Sequence, residues 1–176
     1  MIATGFAWLI FLGASLVAVF SAIMMVTRKS PIHSALWLIV TFFSIAIIYL
    51  QLHAQFIAVA QVIVYAGAIM MLILFVIMLI HLERGPEGKR KTSGAKMVGA
   101  FITIILLLEV AAAVLSFQAT GKKGSFTPEV LAGAGNVKSI GELLYGKYLF
   151  PFEIASVLLL IGIVGAVLLA KRRKEE

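Results

Sequence analysis

The chain has 176 residues, 15 Lys and Arg against 8 Asp and Glu, a formal net charge of +7 and a mean hydropathy of +1.09. With 62% hydrophobic and 13% charged residues it cannot cover a water-soluble surface, so one membrane-embedded domain, 1–176, is the expected class. The absence of cysteine excludes disulfides, thiolate metal sites and iron–sulfur ligation by this chain, and the basic residues sit in short clusters between apolar runs, which reads as topology charge and not as a nucleic-acid surface.

A spanning helix needs about 20 apolar residues. The first such run is about 2–27, with no basic residue before it, so it reads as a retained helix and not a signal peptide. "RKSPIHS" follows, in which Ser30 suits a helix cap and Pro31 a first helical position. The second span is about 34–52, and "QLHAQ" is so short that it and the third, about 55–82, must form a tight antiparallel hairpin. "ERGPEGKRKTSGAK" is polar and broken by Gly and Pro, and the fourth span is about 97–118. A loop, 119–149, carries two helix-start signals, "TPE" at 127–129 and a capping box "SIGE" at 139–142. "LLYGKYLF" after it suits an interfacial helix, with Tyr145 and Tyr148 at the headgroup level, before the fifth span, about 150–170. The fold class is an all-α integral membrane protein of five transmembrane helices.

Eleven of the 15 Lys and Arg lie in 28–33, 83–96 and the C-terminal tail. Positive charge stays on the cytoplasmic side, so the N-terminus is expected outside, the C-terminus in the cytoplasm, and 119–149 outside. Small residues at four-residue spacing mark packing faces: Ala14, Ala18 and Ala22 in the first span, Gly162 and Ala166 in the fifth.

Two carboxylates, one amide and one phenol inside the spans are candidates for more than packing. Glu109, in "LLLEVAAAV", is costly if charged and facing lipid. It therefore reads as a member of a proton path, as a charge partner of another subunit, or as a group hydrogen-bonded to a neighbour. Glu153, in "FPFEIAS", falls in a first helical turn if Pro151 opens the helix, where the helix dipole favours a carboxylate. Gln61 and Tyr65, one turn apart in "QVIVYAGAIMMLILFVIMLI", read on their own as interhelical hydrogen-bonding groups. His33, His53 and His81 sit at span ends without a metal-binding spacing. No phosphate loop, nucleophile elbow, zinc motif or dinucleotide fingerprint is present, so no catalytic, cofactor or metal site is expected in this chain.

Residues 63–69 and 75–79 resemble the third transmembrane helix of the subunit J family of the bacterial proton-pumping NADH:quinone oxidoreductase, respiratory complex I. "SPIHSALWLIV" at 30–40 is similar to the start of that family's second helix, and "FPFEIASVLLLIGIVGAVLLAKR" at 150–172 to its last. The resemblance implies a multi-pass subunit of the bacterial inner membrane. Its partners would be the quinone-site, small carboxylate-bearing and antiporter-like subunits and the lipid bilayer. FMN, iron–sulfur clusters and quinone would be held by other subunits. It also implies a π-bulge around Tyr65, Ala66 and Gly67 that switches with a straight form and so makes or breaks a water wire. Some relatives carry a carboxylate at the position of Gln61, and an amide cannot relay a proton by ionising. A related membrane complex, either a multisubunit cation/proton antiporter or a ferredoxin-type oxidoreductase, is the alternative.

Overall fold

A computed structural model describes residues 2–80, 93–116, 133 and 135–171. Among the described residues every regular element is helical, and five helices are long and apolar enough to cross a membrane: Gly5–Thr27, Pro31–Gln51, Gln55–Leu79, Met97–Ser116 and Leu149–Ala170. The expected "TPE" helix start at 127–129 lies outside the described residues, as does His81. Two compact units are present, one of Met1–Leu79 with Phe126–Glu176 and the other of Ile80–Ser125.

In the first unit, α1 (Ile2–Thr27) packs on α2 (Pro31–Gln51). Lipid tails give no hydrophobic incentive for two apolar helices to meet, so contact depends on small side chains and hydrogen bonds. The contact is built accordingly. Ala14 and Ser21 of α1 and Ala35, Thr41, Ser44 and Ala46 of α2 are buried, and Ala18 and Ala22 are partly buried. Thr41 Oγ1 donates to Ser21 Oγ at 2.9 Å, and Ser21 Oγ donates to the Val17 carbonyl at 2.6 Å. Beside this pair the Trp37 ring meets Phe20 edge-on at 5.7 Å. Pro31 takes the first helical position as expected, and Ser30 has the extended backbone of a cap (φ −90°, ψ 121°), but its hydroxyl makes no capping bond.

The turn after α2 is closed by backbone alone. The Ala54 N–H reaches the Tyr49 carbonyl at 3.0 Å and the His53 N–H reaches Leu50 at 3.1 Å, with His53 left-handed at φ 57°. This is the Schellman arrangement, in which glycine is usual at the left-handed position. It reverses the chain within residues 52–54 and starts α3 (Gln55–Ala60).

Two sequence expectations are corrected in the same unit. α6 (Asn136–Tyr145) begins three residues before Ser139, so "SIGE" is helix interior and not a capping box. Ser139 is 2% exposed and its hydroxyl donates back to the Gly135 carbonyl at 3.0 Å. The start moved because Gly135, at φ 84°, takes a backbone conformation that turns the chain just before Asn136. α7 (Leu149–Ala170) begins two residues before Pro151. Proline is tolerated there because first-turn N–H groups lack intrahelical partners anyway. Glu153 becomes the fifth helical residue and loses the expected first-turn position.

In the second unit the described helix is α5 (Ser93–Ser116), and from Met97 on all its side chains are exposed, Glu109 included.

Candidate functional site

The span Gln55–Leu79 is not a uniform helix. α3 gives way to a π segment, Gln61–Ile69, which returns to α-helix as α4 (Met70–Leu79). Nine residues of π-helix inside one apolar span is far more than the single-turn bulge that π-helix generally forms. The wider winding shows in the hydrogen bonds, with the Met70 N–H directed at the Tyr65 carbonyl five residues back.

Gly67 relieves one close approach within this winding. A Cβ added there would lie 3.2 Å from the Val62 carbonyl oxygen, tighter than nine in ten real side-chain contacts, so the carbonyl would have to give by a few tenths of an ångström. With hydrogen at that position the wide turn closes without displacing the carbonyl.

The side chains of the segment divide by exposure. Gln61 is buried at 8% exposure, and its amide makes no hydrogen bond among the described residues. Ala66, five residues later, is partly buried, and Met70 is 1% exposed. Tyr65 is 49% exposed and lays its ring edge-on to Phe42 of α2, with centroids 6.0 Å apart and planes at 67°. Its hydroxyl makes no hydrogen bond among the described residues. Gln61 and Tyr65, expected on one face from their four-residue spacing, differ in exposure, the amide buried and the phenol half exposed.

Gln61, Tyr65, Ala66 and Gly67 are thus brought into one irregular segment. Glu153 is on α7, which touches α6 and not the π segment. Glu109 lies in the other unit. Among the described residues no group of three His, Cys, Asp or Glu could hold a metal ion. The segment offers an amide and a phenol, which can order water, and no nucleophile or acid–base pair.

Three contributors were not singled out from sequence: Phe42, Met70 and Asn136. Phe42 and Met70 are apolar residues in apolar runs and carry no signal. Asn136 accepts a hydrogen bond from the Phe56 backbone N–H through its Oδ1 at 3.0 Å across 80 residues of chain, a partner that no local pattern encodes.

The sequence pattern of the NADH-ubiquinone/plastoquinone oxidoreductase chain 6 family matches residues 21–169. The chain is 33% identical over 166 residues to NADH-quinone oxidoreductase subunit J of Rhodobacter capsulatus, covering 92% of this chain and 80% of that one. It is 40% identical over 152 residues to NAD(P)H-quinone oxidoreductase chain 6 of a Nostoc species, covering 86% and 73%. To F(420)H(2) dehydrogenase subunit J of Methanosarcina mazei it is 36% identical over 159 residues, covering 89% and 86%.

Proposed function

The chain belongs to the NADH-ubiquinone/plastoquinone oxidoreductase chain 6 family, and on that premise we propose that it is a membrane-arm subunit coupling quinone reduction to proton translocation through its third span. The observation that carries this reading is the π segment Gln61–Ile69, with Gly67 seated against the Val62 carbonyl. A π-helix is a less favourable winding than the α-helix and recurs at functional sites. Drawing the extra residue out of the segment would turn one end of the span about 100° against the other, the angle of one α-helical residue. The Tyr65 hydroxyl and the Gln61 amide would move with it, making or breaking a hydrogen-bonded water path. Neither has to ionise for this.

On this reading the chain holds no redox group. FMN and iron–sulfur clusters belong to other subunits, and quinone to a neighbouring membrane subunit. The neighbours are the quinone-site, small carboxylate-bearing and antiporter-like subunits, in the inner membrane of a bacterium. Glu109 and Glu153, both exposed within this chain, would meet those neighbours or water. The likeness to an F(420)H(2) dehydrogenase subunit supports a second reading with a different electron donor. Assaying the purified complex with NADH and with F420H2 separates the two.

The test of the gate is Gly67→Val in the assembled complex. Its Cβ meets the Val62 carbonyl in the π form, and β-branching restricts it in a helix. Assembly is expected to survive, quinone-linked NADH oxidation and pumping to fall together, and NADH oxidation by ferricyanide to persist. Normal pumping by an assembled Gly67→Val complex overturns the gate.

A further inference from the structure

We propose that Asn136 is a positioning residue that caps the third span from outside its own segment, pinning the outer end so that any rewinding of the π segment is delivered to the inner half. This rests on the gate reading of the preceding section.

The third span starts without a cap of its own. Ala54 stands at the N-cap position and has no side-chain oxygen to offer. The first N–H groups of a helix have no intrahelical partner, and inside or near a bilayer there is little water to satisfy them. One of them, the Phe56 N–H, is satisfied by Asn136 Oδ1 at 3.0 Å. Asn is among the best N-cap residues, and here it does that work in trans.

Asn136 is in turn held. It is the first residue of α6, placed by Gly135 at φ 84°, and the next turn is fastened to the same point by the Ser139 N–H and hydroxyl, both donating to the Gly135 carbonyl at 3.1 and 3.0 Å. On the other side the Schellman closure fixes residues 52–54 to α2, and Ala58 is 3% exposed. The outer end of the span is therefore fastened from two directions within one turn of its start.

The inner half is differently built. All ten residues of α4 are apolar, so turning it exposes no polar group and buries none. Met70 is its one fully buried residue, and Met side chains repack readily. A rotation that must go to one end goes to the end that no side-chain hydrogen bond ties to a neighbour.

The test is hydrogen–deuterium exchange on the intact complex, at rest and during NADH turnover, for wild type, Asn136→Ala, Asn136→Asp and Asn136→Leu. In wild type, exchange at residues 54–58 is expected to be slow and the same in both states. In Asn136→Ala it is expected to rise about fivefold, as for the loss of a typical cap, with fewer protons pumped per NADH. Asn136→Asp keeps an acceptor oxygen and is expected to restore both values. Asn136→Leu, which fills similar space without an acceptor oxygen, is expected to behave as Asn136→Ala does; rescue by Leu would mean a space-filling role and overturn the cap. The proposal falls if Asn136→Ala leaves 54–58 unchanged, or if Asp fails where Ala fails. If 61–70 shows no difference between the two states in wild type, the gate reading falls and takes the directional claim with it. The 54–58 result still decides whether Asn136 caps the span.

Discussion

At the residue scale, one position asks for a backbone that most side chains refuse. His53 is left-handed, at φ 57°, in the turn that joins the second and third spans. That conformation costs a non-glycine residue about 1 kcal/mol or more. His53→Gly is expected to raise the temperature at which the assembled complex is lost, by up to about 1 kcal/mol of stability. His53→Val should lower it, because a β-branched side chain tolerates positive φ least. Equal melting of the three on native gels would mean that the turn is not strained. Tyr65→Phe keeps the ring contact with Phe42, at 6.0 Å, and removes only the hydroxyl. Its effect should therefore be smaller than that of Gly67→Val and fall chiefly on protons pumped per electron. Glu109→Gln is expected to assemble and to lower pumping at most in part. An unchanged proton yield would make Glu109 structural.

At the element scale, the α1–α2 contact is held by a hydrogen bond between two hydroxyls, from Thr41 to Ser21 at 2.9 Å. Such bonds between membrane helices measure about 0.6 kcal/mol on average, because the separated helices also find partners. A double-mutant cycle of Ser21→Ala and Thr41→Val should return a coupling near that value. A coupling at zero would leave the small residues alone holding the pair. Gly146 is a stricter point. A Cβ there would lie 2.7 Å from the Glu142 carbonyl oxygen, so Gly146→Ala should disrupt the turn between α6 and α7 and lower assembly. The elements themselves were largely legible, because apolar runs of spanning length leave little choice of secondary structure. The third span's irregularity was legible only through the family resemblance, since its bare sequence reads as a continuous helix. What sequence missed was set by partners distant along the chain or by backbone geometry. Ser30 lies at a cap without capping, Ser139 bonds backward to Gly135, and Asn136 serves a backbone N–H 80 residues earlier.

At the scale of the whole molecule, the asymmetry of basic residues gives a topology to check. A reporter that works only in the cytoplasm is expected to be active at the C-terminus and silent at residue 135. The reverse pair of results would invert every span and put Asn136 on the cytoplasmic side. A second consequence comes from α7, which has no buried residue along Leu149–Ala170 although it is long and apolar enough to span a membrane. Its close-packing residues Gly162 and Ala166 are exposed as well. For one subunit of an oxidoreductase complex, this face is expected to pack against other polypeptides of that complex. A copy made in excess of those polypeptides has nothing to bury that surface against and is marked by it as surplus. Pulse-chase labelling should show the chain turning over quickly when made alone and persisting when its neighbours are made alongside it, so that its abundance is set by theirs.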